Sequence, residues 1–482
     1  MQSGPILPQS ALGLGHTQQT INDTSSRFQD VIGQFPQLKT YSHVLAIFPL
    51  SSEVSQDAVV GALKNAVSRI ISKVPWLGEQ VVHEGQGISN SGIIRTRPLP
   101  SGITIGDILY AKDCTNLCPS YEEIVRRGGP LSSLDGNILC PFPGFPMGYD
   151  VEQMGFAPVV AVQANFIKGG LILNVSHQHN MVDTSGIFVF FSLLAITLKG
   201  KDIPQVYVDQ ANIDRTKVIP LLGPGEPIRD HSYLLRSAFT PTPAPPLALP
   251  ASPLKWACLR VFQKAIPKIK AAASIKEEFD PSVTYISSND ALCAFYWKRL
   301  AAVRVANGTV DPGAVSKFVR GIDVRAAVGC PPGYMGQMIH HALTRFSYRD
   351  LASPELTLSA IASRLRADLN QSANEWAVRS YATFLAGVAD KGSLVYGGGH
   401  NPALDIGSSS VAQLTASSLS FGILGKPTMI RRPNLAPFGG VMYVLPPEDD
   451  SQYTPILVCL SERDLEALSA DKEWGAVAKY IG

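Results

Sequence analysis

Apolar and polar positions alternate in two textures along this chain. Tyr41 to Leu50, YSHVLAIFPL, is a run rich in Val, Leu, Ile and Phe that stops at Pro49, and its length predicts a buried strand. Val59, Leu63, Val67, Ile70 and Val74 then recur at steps of three and four, with Asp57 near the start and Pro75 at the end, which predicts an amphipathic helix. Residues 159–166 and 171–176, separated by Lys168-Gly169-Gly170, predict a hairpin that lies deep, because only Gln163, Asn165 and Asn174 interrupt its apolar content. Residues 187–198 have the length and uniform apolarity of a buried helix. Between hairpin and helix the chain reads LILNVSHQHNMVDTSG, so two histidines stand where an apolar strand ends in a polar turn.

The texture changes from Ile219 to Pro253, where eight prolines fall between Pro220 and Pro250 among few periodic apolar residues. This predicts a long connector, locally stiff in polyproline geometry. The second half restarts with a predicted helix over 256–275. Ser287-Ser288-Asn289-Asp290 has the chemistry of a helix N-cap before ALCAFYWKRLAAVRV. Leu358, Ile361, Leu365 and Leu369 mark another helix, 442–445 and 456–460 are short strand candidates, and Ser461 is placed to cap a last helix running to Gly482.

A chain of 482 residues is too long for one ordinary core, so two domains are expected. The composition is 45% hydrophobic and 17% charged, that of a well-packed globular protein. The formal charge is +2 with no Lys/Arg stripe, which argues against nucleic acid as a partner. Seven cysteines are odd in number and lack paired metal-ligand spacing, so free thiols in a reducing compartment are expected, and no metal. The start, MQSGPILPQSALGLG, lacks a basic region and is broken by Pro and Gly, which predicts no signal peptide. No apolar run approaches the roughly 20 residues of a membrane span. The sequons at Asn22, Asn174, Asn307 and Asn370 are then accidents of composition, and a cytoplasmic location is expected.

His179 and Asp183 are spaced HxxxD. In a helical turn, i and i+4 share a face and the carboxylate could orient the imidazole; in a loop, Asp183 could instead turn inward and hold the backbone. His177 competes with His179, since strand alternation puts both on one face. Gly397-Gly398-Gly399-His400 lacks the Lys and Ser/Thr of a phosphate loop and reads as a plain glycine turn.

HNMVDTSG resembles the HxxxDG-type motif of the CoA-dependent BAHD acyltransferases, closest to their fungal branch of the trichothecene 3-O-acetyltransferase type. FPQLKTYSHVLAIFPL, VPWLGEQ, SSNDALCAFYWKRL, GIDVRAAVGCPPGYMGQM and SFGILGKPTMIRRPNLAPFGG follow in the family's order, so the resemblance covers nearly the whole chain. It implies two chloramphenicol-acetyltransferase-like α/β domains, each a mixed sheet with flanking helices, with the active-site channel at their interface. Residues 1–215 would carry HxxxD, 216–255 would be the crossover linker, and 256–482 would carry SFGILGKP in place of the family's DFGWGKP.

The resemblance also implies roles. His179 would be the general base and Asp183 a structural carboxylate paired with an arginine, with Gly186 and Arg325 supporting the site and Arg325 holding the DFGWG-type loop. Ser409 or Ser410 would donate to the oxyanion, and Ser288, Lys426 and Arg431 would meet CoA. The co-substrate would be acyl-CoA, acetyl-CoA by the family's habit, and the acceptor a small hydroxyl-bearing fungal metabolite, handled by a monomer. Ser420 stands where the family has aspartate and cannot pair with Arg325. That departure keeps open an alternative on the same fold: a condensation-like or cyclase/isomerase enzyme that does not use CoA.

Overall fold

A computed structural model describes residues 6–7, 27–238, 252–413, 418–447 and 452–482. Apart from Ile6–Leu7, the readings of the first fifteen residues and of the Asn22 sequon lie outside these, as do residues 239–251 of the Pro-rich stretch.

The N-terminal half supplies strands β1 (Tyr41–Pro49), β2 (Leu109–Asp113), β3 (Val160–Ile167) and β4 (Gly170–Gln178). The C-terminal half supplies β5 (Leu254–Phe262), β6 (Val315–Asp323), β7 (Ile339–Ser347), β8 (Ile406–Ser410), β9 (Met429–Arg431), β10 (Val441–Val444), β11 (Tyr453–Ser461) and β12 (Ala478–Tyr480). They form a five-stranded mixed sheet, β9-β1-β4-β3-β2, and a seven-stranded mixed sheet, β7-β6-β8-β10-β11-β5-β12. The halves exchange one element: β9 leaves its own half and pairs antiparallel with β1, Ile430 opposite Ala46.

The helices covering the first sheet are α1 (Gln56–Lys73) and α2 (Thr184–Leu198). Ser55 caps α1, its Oγ accepting from Ala58 N at 3.2 Å, and Asp57 lies in the first turn. In α2, Ile187, Phe190, Phe191 and Leu194 are buried against Phe48 and Leu173, so a helix apolar on nearly every side is covered on nearly every side. The β3–β4 hairpin turns on Lys168 and Gly169, whose φ of +73° suits glycine. Every residue of both strands is buried.

On the second sheet lie α3 (Ser288–Ala306), α4 (Leu358–Ser372), α5 (Glu375–Gly387) and α6 (Glu462–Ala470). The expected cap of α3 is a capping box, Ser287 with Asp290. Two helix expectations give way. Residues 254–262 form β5, because WACLRVF is buried on both faces, Ala257, Leu259 and Val261 on the helix side and Trp256 and Cys258 on the other; a helix follows only over Ile266–Ala272. The helix capped by Ser461 ends at Ala470, and after a short helix over Lys472–Gly475 the chain returns as edge strand β12. The described part of the expected connector is packed: Ile219, Leu222, Ile228 and Leu234 join Val378 and Tyr381 of α5 in one cluster.

Candidate active site

Where β4 ends, the chain makes a tight turn. Met181 N and Val182 N both donate to Gln178 O at 3.0 Å, and His179 N donates to Thr40 O at 3.0 Å. Asn180 Nδ2 reaches Gly33 O at 2.6 Å and Phe35 O at 2.9 Å, which ties the turn to the segment before β1. Asp183 is the N-cap of α2, its Oδ1 accepting from Gly186 N at 2.8 Å. His179 as a residue is half-buried. His177 lies inside β4, 1% exposed, and neither ring nitrogen has a partner among the described residues. Of the two histidines, only His179 keeps any solvent exposure.

Asp183 turns away from the imidazole. Its carboxylate is fully buried and held bidentately by Arg325, Nη2 to Oδ1 at 2.8 Å and Nη1 to Oδ2 at 2.9 Å, and Oδ2 also accepts from Met338 N at 3.0 Å. Arg325 further donates to Asp323 Oδ2 at 2.9 Å, Tyr334 O at 3.2 Å and Gly336 O at 2.8 Å. Burial opposes the Arg325 charge, but Asp183 and Asp323 more than offset it and hold the guanidinium above the ordinary arginine value. Ser185 Oγ donates to Asp323 Oδ2 at 2.6 Å, so this serine is a strut of the same network. At Gly186 an added Cβ would strike the Met335 carbonyl, with Met335 C at 2.8 Å, because the first turn of α2 rests on the backbone of the 334–338 loop. The structure thus brings Asp183, Gly186 and Arg325 together beneath His179.

A second layer, unmarked by any motif in the sequence, lies beneath this one. Buried Arg215 pairs with buried Asp30 at 2.8 Å and donates to Met181 O at 2.7 Å, bracing the turn from below. The Tyr334 hydroxyl and Gln337 N, at 3.1 Å, also donate to Asp30, whose carboxyl is pushed up to about 6, chiefly by burial. Gln337 Nε2 donates to His179 O at 2.7 Å and lies 3.1 Å from His179 Nδ1. Burial lowers the His179 pKa below the ordinary 6.5; Asp183 and the ring's hydrogen bond to its own main-chain carbonyl oppose this, and the charge of Arg432 adds to it.

Across the second sheet, His341, Gly321, Ser409 and Tyr443 lie side by side in register. Burial, and then the nearby charge of His179, lower the His341 pKa to about 4, so this row faces the first half. Glycine at 321 leaves the row open between His341 and Ser409. Alternation puts Ser409 on the face of Val441 and Tyr443, while Ser410, opposite Val444, faces the helices. Arg432 stacks on the Tyr443 ring, 4.1 Å from its centroid.

The expected CoA contacts differ in exposure. Ser288 is exposed in the first turn of α3, and Lys426 is exposed on the loop leading to β9. Arg431 does not fit a phosphate role: it is fully buried and donates to Gly128 O at 2.9 Å, Gly129 O at 3.2 Å and Ile430 O at 2.9 Å. Nor does Arg325 hold the SFGILG loop. That loop is fixed by packing, Phe421 meeting Phe48 and Phe191 edge-on at 5.4 and 6.2 Å, and by Gly422, at φ +57°, lying directly against Leu198 O. An aspartate at 420 is therefore not needed to secure it. Gly398 and Gly399 turn their carbonyls toward Lys317, at 3.0 and 2.7 Å, the reverse of an anion cradle. Among the described residues no group of His, Cys, Asp and Glu could hold a metal ion, and no helix is long and apolar enough to cross a membrane.

Residues 145–474 match the Transferase family, and residues 40–197 match the trichothecene 3-O-acetyltransferase-like N-terminal domain. The chain is 42% identical to the O-acyltransferase pigD of Monascus ruber over 95% of this chain and 99% of that protein. It is 32% identical to the trichothecene 3-O-acetyltransferase TRI101 of Fusarium sporotrichioides over 94% of this chain and 96% of that one. The crystal structure of F. sporotrichioides TRI101 complexed with coenzyme A and T-2 superposes with a TM-score of 0.83, at 30% identity, covering 94% of this chain and 99% of the other. Vinorine synthase shares the fold at a TM-score of 0.61 and 15% identity, covering 98% of this chain and 96% of the other. The paired mixed sheets, the HxxxD turn and these likenesses agree: the chain belongs to the BAHD-type transferase family, in its fungal trichothecene 3-O-acetyltransferase-like branch.

Proposed function

We propose that the chain is an acyl-CoA-dependent O-acyltransferase, with acetyl-CoA as donor and a hydroxyl of a fungal specialised metabolite as acceptor. The observation that carries this reading is the half-buried His179, whose imidazole burial keeps neutral, mounted where a buried strand ends and facing the His341–Ser409 row of the other half. An alcohol is a poor nucleophile at neutral pH, so His179 Nε2 takes its proton as the oxygen attacks the thioester carbonyl, an assistance worth roughly 10²- to 10⁴-fold. The tetrahedral oxyanion accepts a hydrogen bond from Ser409 Oγ. Collapse expels the CoA thiolate, which recovers the proton from the imidazolium, and no acyl-enzyme forms. Asp183 takes no part in proton transfer; with Arg325 it holds the turn.

CoA reaches the site past Ser288 and Lys426, with Arg431 removed from that set. The protein acts as a cytoplasmic monomer, and residues 1–215 and 256–482 are its two domains, joined through 216–255. The CoA-free alternative drew its support from the missing aspartate at 420, and a loop held by Phe421 and Gly422 withdraws that support. The test is incubation with labelled acetyl-CoA and an extract of the producing organism, with thiol release measured in parallel. Label should pass to an extract component with the wild type and not with His179→Ala. Thiol-independent conversion, or no transfer by either protein, overturns the donor assignment.

A further inference from the structure

Arg432 follows β9 and stands in the seam between the halves. It lines a narrow cleft with Leu131 and Phe145 from the first half and Trp256 and Leu457 from the second. Its guanidinium lies over the Tyr443 ring at 4.1 Å and is 6.0 Å from the centroid of Trp256, and the two rings are themselves stacked with centroids 5.9 Å apart. Such stacking orients a cation without neutralising it. Among the described residues Arg432 donates no hydrogen bond and meets no carboxylate. Its neighbours in the seam are engaged, Arg325 by Asp183 and Asp323, Arg215 by Asp30 and Arg431 by three carbonyls.

Tyr443 is the in-register neighbour of Ser409 on the face turned to the first half. Adjacent strands lie about 4.8 Å apart, so the bare cation stands one strand beyond the hydroxyl that receives the oxyanion. The titratable groups that feel its charge are His43 of β1, His177 of β4, His179 of the turn and the thiol of Cys140. Burial is the chief cause that keeps all four uncharged, and Arg432 acts in the same direction on the three imidazoles. A fixed cation this close to a general base opposes the imidazolium that proton abstraction creates. It favours the reaction only where an anion forms beside it at the same time, and acyl transfer from a thioester makes one.

We propose that Arg432 is the counter-ion of the CoA thiolate, an anion subsite that no carboxylate of the protein fills and that sulfur enters as the thioester bond breaks. The inference rests on the acyl-CoA reading of the His179 site and adds to it a residue outside the HxxxD and SFGILGKP motifs. As the acceptor oxygen bonds to the acyl carbon, its proton passes to His179. The carbon–sulfur bond then breaks with its electron pair left on sulfur, the guanidinium holds that charge, and CoA leaves as the thiol once the imidazolium returns the proton.

The test compares CoA with desulfo-CoA, which carries hydrogen in place of the thiol, by isothermal titration calorimetry of the wild type, Arg432→Gln, Arg432→Met and Arg432→Lys. The ratio of the two affinities, followed from about pH 6.5 to about pH 9.5, reports the thiol pKa of bound against free CoA. Every histidine facing the site is neutral at the upper end, which leaves the guanidinium as the cation that selects thiolate. In the wild type the ratio should rise with pH toward about tenfold in favour of CoA, the size of a one-unit drop in the thiol pKa. Arg432→Gln and Arg432→Met should lose the rise, and Arg432→Lys, which keeps the charge, should keep most of it. A merely structural role would change both affinities together and leave their ratio alone. A wild-type ratio that stays flat with pH overturns the proposal without any variant, and so does a rise that survives in either neutral variant once circular dichroism shows it folded. A wild type that binds neither probe overturns the acyl-CoA reading and this inference with it, whereas binding with a flat ratio overturns the inference alone.

Discussion

Removing the Arg325 side chain should be among the most damaging single changes outside the reacting groups. Arg325→Ala deletes five hydrogen bonds, two of them to Asp183. Asp183 would remain fully buried with only Gly186 N and Met338 N as donors. Breaking a buried ion pair from one side costs about 3–5 kcal/mol, because the surviving charge stays desolvated. The freed carbonyls of Tyr334 and Gly336 each lose a hydrogen bond worth about 1 kcal/mol, part of which water restores, so about 4 kcal/mol is expected overall. Urea unfolding at pH 7, followed by tryptophan fluorescence, should show the midpoint falling at unchanged slope. Arg325→Lys cannot bridge both carboxylate oxygens and should recover less than half of the loss. Arg325→Met combined with Asp183→Asn should be more stable than Arg325→Ala, since neither partner is left as a bare charge. A loss below about 1 kcal/mol in Arg325→Ala, the range of an exposed pair, would refute the argument that this pair holds the turn.

Gly186→Ala should lower the melting temperature even though alanine favours a helix interior by about 0.5–1 kcal/mol, because the new Cβ meets the Met335 backbone; a rise in melting temperature would contradict the close approach. Because burial and then Arg432 lower the pKa of His179, the acid limb of kcat/KM should fall below the ordinary 6.5, and Arg432→Gln should move that limb upward; a downward move would mean the guanidinium does not act on the ring. Ser409→Ala should reduce kcat by about 10²-fold or more and Ser410→Ala should not, as steady-state kinetics of the two variants would show.

What the sequence disclosed follows burial chemistry. The β3–β4 hairpin and α2 were legible because their residues are apolar and covered on all sides, leaving little for tertiary context to overrule. β6 was not, because Lys317 and Arg320 read as surface residues; in the fold Arg320 is buried by pairing with Asp290 at 2.7 Å and Lys317 by contacts to Asp405 and the 398–399 carbonyls. β5 reads as a helix from its residues alone because burial on both faces erases the period of two. His179 and Asp183 were visible as a motif, but whether the carboxylate faced the ring or the backbone depended on Arg325, 142 positions away. Asp30, Arg215 and Gln337 carried no local signal at all, since each gains its meaning from a partner more than a hundred residues distant. Gln337 did lie in a stretch marked by resemblance, GIDVRAAVGCPPGYMGQM, which a reading confined to HxxxD would have passed over.

The three residues Met429–Arg431 make the N-terminal half dependent on its successor. If the polypeptide were severed within the Pro-rich stretch and its pieces produced apart, the leading fragment would expose the amide and carbonyl groups of Leu45 to Ile47, and Phe48 would lose its aromatic cover. Such a fragment should self-associate when alone, and should regain solubility and acyl transfer when the trailing fragment is refolded beside it.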